Sequence, residues 1–213
     1  MNRLLLFVLP VLLIFSCVGK HSTETPVVTI NATSSESVVI NADTININLL
    51  KSSINWIATE MRGLKKRTGK ISLSKGYLLT VEGKIVGGNF IVDMETMDVT
   101  DIPAHEVTAR KNLIAHLKNP DFFDTNQYPT ATLALTRIEK IKNDRLKISG
   151  DFTIRDVTKN ISFFAQQKGN SIFSKFTFNR LDWKVAYTGS WAAKTLVDND
   201  IELAIELVFN ALP

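Results

Sequence analysis

From about residue 45 to residue 210 the chain alternates apolar and polar side chains with a period of two, the spacing of strands that bury one face. Leu146, Ile148, Gly150, Phe152 and Ile154 alternate with Arg145, Lys147, Ser149, Asp151, Thr153 and Arg155. Near the end, Ile201, Leu203, Ile205, Leu207 and Phe209 oppose Glu202, Ala204, Glu206, Val208 and Asn210. The same reading predicts strands near 46–60, 69–82, 84–96, 130–142, 158–168 and 172–183. Glu82-Gly83, Asn143-Asp144 and Lys168-Gly169-Asn170 carry hairpin-turn chemistry, so consecutive strands are expected to pair antiparallel.

One segment departs from period two. Between Pro103 and Pro120, Val107, Leu113, Ile114 and Leu117 share an arc of a helix, with Thr108, Asn112 and His116 on the far side. A helix of about 106–118, stopped at Asn119-Pro120, follows. Arg110 projects within the apolar arc, so it must snorkel outward or meet a partner. Several strands read as roughly 12 residues, about 40 Å long, and strands of that length leave exposed edges unless the sheet closes on itself. The expected fold is mainly β: an antiparallel, eight-stranded up-and-down barrel with one helix, wide enough for a slender apolar ligand. A filled barrel is the alternative.

The first residues follow another rule. Arg3 precedes the apolar run Leu4–Phe15, too short to span a bilayer as a helix, and Ser16 precedes the chain's only cysteine, Cys17. Residues 1–16 read as a signal peptide. Ile14-Phe15-Ser16-Cys17 resembles the lipobox of bacterial lipoproteins, which implies cleavage before Cys17 and lipidation of its thiol. Residues 17–44, rich in Ser, Thr and Asn, read as a flexible tether, and residues 45–213 as the barrel domain. The bacterial envelope is the expected location, lipid-anchored and either periplasm-facing or at the outer membrane; Val18 in place of Asp favours the latter by the enteric sorting rule.

Composition narrows the chemistry. Of 213 residues, 45% are apolar and 22% charged, with a net charge of only +4, so no nucleic-acid footprint is expected. A lone cysteine excludes a disulfide framework and Cys-based metal centres. His105 and His116 stand eleven apart without a paired-ligand motif, and Asp93, Glu95, Asp98 and Asp101 lack EF-hand spacing, so no metal is expected and the acidic run reads as loop capping. Gly189-Ser190-Trp191 lacks the nucleophile elbow of hydrolases. No catalytic residue and no cofactor are expected.

Four blocks resemble the YceI-like family over about residues 46–210: Gly87–Met94; Leu113–Asp124 followed by Tyr128–Ala131; Gly150–Lys159; and Phe178–Trp183. Asp156 stands where many members have glycine, and Trp191–Leu196 has no clear counterpart. The resemblance implies an extended lipocalin-like barrel of the bacterial envelope that binds a polyisoprenoid lipid without catalysing a reaction. On that footing Phe122, Phe123, Tyr128, Ile148, Phe152, Phe176 and Phe178 are candidate ligand contacts, each equally readable as filled core. Arg180, in phase with Phe176 and Phe178, needs a partner, either Asp182 in an ion pair or a ligand headgroup. The expected partners are an isoprenoid lipid, of quinone or polyprenyl phosphate type, and the membrane through Cys17; a second copy of the chain stays open. The competing expectation is an envelope scaffold with a filled barrel.

Overall fold

The computed structural model describes residues 25–31, 41–186 and 197–210. Cys17, the signal segment and Trp191–Leu196 lie outside the described residues. In chain order the elements are β1 (Thr29–Ile30), β2 (Asp43–Asn46), β3 (Ser53–Glu60), β4 (Lys65–Val81), β5 (Lys84–Val99), α1 (Val107–Lys118), β6 (Thr130–Lys140), β7 (Arg145–Ile154), β8 (Val157–Lys168), β9 (Ser171–Asn179), a single 3-10 turn (Arg180–Trp183) and β10 (Val197–Val208). Strands β3 to β10 pair antiparallel around a ring, with β10 returning to β3. The barrel is therefore closed and eight-stranded, with one α-helix beside it among the described residues.

Turn chemistry sets the register. Glu82 and Gly83 between β4 and β5, and Asn143 and Asp144 between β6 and β7, take positive φ, which matches the right-handed twist of the strands they join. Between β7 and β8 the left-handed residue is Arg155, at φ 55°, and not Asp156. The expected strand over 46–60 is broken: Asn48 accepts N–H bonds from Lys51 on its side chain and from Ser52 on its carbonyl, closing a turn. β2 consequently lies beside the far half of β4, Asp43↔Thr80 to Asn46↔Tyr77, while β3 takes the near half from Glu60↔Lys65. The strand expected to reach 183 stops at Asn179, whose side-chain oxygen accepts the Leu181 N–H and caps the 3-10 turn. Most of the acidic run is not loop: Asp93, Glu95 and Asp98 lie in β5, which continues to Val99, and Glu95 and Asp98 are engaged by Lys118 and Arg110; Asp101, beyond the strand, pairs with Arg67 and caps by accepting the Thr68 N–H.

Part of the expected tether belongs to the wall. β8 and β9 pair directly only from Ala165↔Ser174 to Lys168↔Ser171. Beyond that, residues 26–31 stand between them. Val28 N–H donates to the Thr177 carbonyl and Thr177 N–H to that of Pro26, on the β9 side. On the β8 side, Thr29↔Ser162 and Ile30↔Ile161 pair, and Asn31 adds side-chain bonds to Asn160 and Ser162. Val28 is buried in the core. Two open backbone edges and an apolar gap fix this segment, features that the composition of a spacer does not show.

Candidate functional site

The interior is packed on the β7–β8 side near the turns that follow β6 and β8 and hollow toward α1, with the hollow extending down the β3–β10 wall to Ile54 and Leu207. Near the turns that follow β6 and β8, Leu78, Leu146, Ile148, Ile161, Phe163, Ile172 and Phe209 pack in the core. Toward α1 the inward faces enclose an apolar cavity of about 440 Å³. Its lining follows β10 from Ile201 through Leu203 and Ile205 to Leu207, a run of roughly 20 Å at strand rise. Trp56 and Ala58 of β3, Ile71 and Leu73 of β4, Phe90, Val92, Met94 and Met97 of β5, and Ala131 and Leu133 of β6 complete the wall.

The predicted residues divide. Phe122, Phe123, Phe152, Phe176, Phe178 and Arg180 line the cavity; Tyr128 and Ile148 do not. Ile148 faces inward, but at the solid end, opposite Ile138 and Phe163 on the neighbouring strands. Tyr128 lies under the Arg155 guanidinium, 5.4 Å from ring centroid to Cζ. Phe163 and Phe176 meet at a tilt of 31°, 4.7 Å between centroids, and since only Phe176 touches the cavity this pair bounds it on the β8 side, while on β10 the lining continues to Leu207. Phe152, Phe178 and the fully buried Trp183 meet edge to face at 5.3–5.5 Å, and Trp183 Nε1 donates to the Phe152 carbonyl at 3.0 Å.

Arg180 is 1% exposed, and its partner is not Asp182. Its Nε, Nη1 and Nη2 donate to the carbonyls of Asp198, Val185 and Val197 at 3.1, 2.5 and 3.0 Å. Cζ stands 5.4 Å from the centroid of Phe122. Burial lowers the proton affinity of this guanidinium and the nearby Asp198 charge opposes the shift; an arginine stays cationic regardless. The result is a fixed positive charge at the edge of a mostly apolar lining, held by dipoles. Three of the five N–H donors of a guanidinium are used by these bonds. Thr59, Glu60, Arg67, Thr132 and Asp198, with His116 of α1, complete the polar part of the lining.

α1 closes this end. Leu113 and Leu117 face the cavity, and so does His116, which the helical arc had placed on the far side; its ring stacks on Phe122 at 6.2 Å. Arg110 finds its partner in Asp98 at 2.7 Å, and Lys118 Nζ reaches both the side chain of Glu95, at 3.0 Å, and its carbonyl, at 2.6 Å. Sequence reasoning missed the β3, β5 and β10 walls, Trp56 and Phe90 included, because every ligand contact it singled out lies between Phe122 and Arg180. The alternation of Ile201 to Leu207, Trp56 with Ala58, and Met94 with Met97 was the usable signal. Among the described residues no three His, Cys, Asp or Glu side chains assemble as a metal site.

Known proteins share this fold. A crystallised BcnA from Burkholderia cenocepacia superposes with a TM-score of 0.63 at 18% identity, covering 76% of this chain and 98% of that one. A structure described as a polyisoprenoid binding domain from Saccharophagus degradans superposes at 0.57 with 12% identity, over 78% of this chain and 98% of its own. In sequence, the proteins named YceI of Shigella flexneri and Escherichia coli O157:H7 are 34% identical over 74 residues, 35% of this chain and 36% of theirs, so the matched stretch spans about a third of those relatives. Residues 45–209 match the YceI-like domain, which is nearly the whole barrel with its cavity and cover, and the chain belongs to that family.

Proposed function

We propose that this protein is a non-catalytic carrier that holds an isoprenoid lipid in the barrel, in the bacterial envelope and tethered through a lipidated Cys17. The observation that carries the reading is the cavity itself: about 440 Å³, elongated, apolar along its strands, and provided with one buried cation at the α1 end. Volumes of this order suit small-molecule ligands, and a prenyl chain gains about 25 cal/mol per Å² of apolar surface removed from water, with no single residue dominating. Arg180 favours a ligand whose head carries electron-rich oxygen, a quinone carbonyl or a prenyl phosphate, placed toward α1 with the chain running along β10. The polyisoprenoid description of the Saccharophagus domain supports the same class. A scaffold with a filled barrel lacks its premise at the level of the cavity.

The test is extraction and mass spectrometry of protein purified from a bacterial host, beside Phe152→Arg, which puts a further cation among the aromatic residues of the lining. Wild type is expected to release a prenyl lipid and Phe152→Arg to release none while keeping its strand signature by circular dichroism. Lipid-free wild type, also unable to bind an added prenyl alcohol, would overturn the reading.

A further inference from the structure

We infer that the β3–β4 hairpin is a docking tip for an anionic phospholipid surface, and that it brings the α1 end of the barrel against that surface. The inference rests on the carrier reading for its purpose but not for its geometry.

The hairpin joins Glu60 to Lys65 through Met61-Arg62-Gly63-Leu64. Its two apolar side chains point the wrong way for a folded core: Leu64 is 84% exposed and Met61 49%. Arg62, Lys65 and Lys66 surround them and are exposed as well. Residues 60–67 hold four cations and one carboxylate. Glu60 is occupied by Arg67 at 3.2 Å and more loosely by Lys65 at 3.9 Å, while Asp101 serves Arg67 at 3.0 Å. Arg62 and Lys66 form no ion pair among the described residues. Apolar side chains ringed by cations complement the interface of an anionic bilayer, where hydrocarbon and phosphate lie within a few ångströms.

The tip is also held rigid and tied to the cavity. Met61, Arg62 and Gly63 all adopt positive φ, at 55°, 59° and 85°, a conformation that costs a methionine and an arginine energy. Asp198 maintains it: one carboxylate oxygen accepts the Arg62 N–H at 3.0 Å, the other the Gly63 N–H at 2.8 Å and the Thr59 hydroxyl at 2.5 Å. Asp198, Thr59 and Glu60 line the cavity. The residues that fix the exposed tip therefore border the space a lipid would enter, and a bilayer touching Leu64 stands next to that border.

Two readouts separate this inference from the carrier reading. The first labels Leu64→Cys, in a full chain whose Cys17 is Ser, with an environment-sensitive dye, and Lys142→Cys at the opposite end as control. With phosphatidylglycerol vesicles the label at 64 is expected to shift to the blue and the one at 142 to stay unchanged; phosphatidylcholine vesicles or molar salt should remove most of the shift. The second measures transfer of a fluorescent farnesyl probe from the protein to phosphatidylglycerol vesicles. Leu64→Glu is expected to slow transfer about tenfold and Lys66→Glu about fivefold, with solution affinity unchanged, since neither residue lines the cavity. No shift at 64, or equal shifts at 64 and 142, would overturn the inference, as would unchanged transfer rates. Failure of every variant to bind the probe would defeat the carrier reading and leave the label to decide the docking tip.

Discussion

At the end of the barrel near the turns after β6 and β8, Leu146, Ile148, Phe163 and Ile172 pack together; toward α1, Trp56, Ala58, Leu203 and Phe178, neighbours on the β3–β10–β9 wall, border open space. Both sets come from the same alternation of apolar and polar positions. Two features separate them. The wall has eight strands where β8 meets β9 directly and nine where residues 26–31 stand between them, and barrel width grows with strand number. Small residues also face inward at the hollow end, Ala58 and Ala131 among them. Interior space here comes from the number and size of wall pieces, with no change in the hydrophobic pattern.

That difference predicts unequal costs for similar truncations. Ile148→Ala removes methylenes from a site packed on every side, and should cost about 2–5 kcal/mol. Leu203→Ala trims a side chain that already borders a void, so its neighbours lose fewer contacts, and the loss should stay below about 1.5 kcal/mol. Urea unfolding of both variants in lipid-free protein measures this directly. Equal losses would mean that the cavity collapses in solution and that the two ends do not differ.

The wall strands, the hairpin turns and the helix were legible in sequence because each is a local pattern: period two, two-residue turns, an arc of four apolar residues ended by Asn119-Pro120. The hollow was not legible. Ile148 and Phe152 lie on the same face of β7, four residues apart, and only the closure of the ring decides that one is packed and the other lines a cavity. The wall segment at 26–31 escaped for a similar reason, since its partners lie some 130 to 150 residues away and its own few residues show no periodicity. Arg180 was recognised as needing a partner, but carbonyls of Asp198, Val185 and Val197 carry no side-chain signature, and Asp182 was the nearest visible candidate.

Gly69 gives a sharper probe of the hollow end. A Cβ there would stand 2.1 Å from the Trp56 ring and 2.0 Å from the Asp98 carbonyl oxygen, far inside contact distance. Trp56 lines the cavity and can yield only inward. Gly69→Ala is therefore expected to cost about 3 kcal/mol or more, because the β5 backbone at Asp98 must shift as well as Trp56, and to weaken probe binding as Trp56 moves inward. Gly83→Ala is the contrast: nothing lies within 4 Å of its Cβ, and the φ of +69° makes its penalty one of backbone strain alone, with the cavity untouched. Loss of probe affinity in both variants to the same degree would show that Gly69 matters for general stability and not for the cavity.

The smallest expected effect concerns the cover. No residue of α1 is fully buried, and its N-cap makes no side-chain hydrogen bond, so beyond the contacts of Leu113, Ile114 and Leu117 with the core the helix is held by Arg110–Asp98 and Lys118–Glu95. The Asp98 carboxyl is held below the usual range, first by the Arg110 hydrogen bond; Glu95 is held below it by the Thr125 hydroxyl and then by Lys118. A carboxylate depressed in the folded state contributes its stability above the unfolded value, about 4, and loses it as pH falls through the folded one. Both pairs are partly open to solvent, so each contributes only a few tenths of a kcal/mol. Hydrogen exchange should therefore show amides 107–118 unchanged from pH 7 to about 5 and losing protection below about 4, ahead of β7 and β8. Asp98→Asn should bring that early loss to neutral pH. A helix that keeps protection in step with β7 and β8 down to acid unfolding would show that Leu113, Ile114 and Leu117 hold the cover unaided, and that the hollow end is closed by packing as the solid end is.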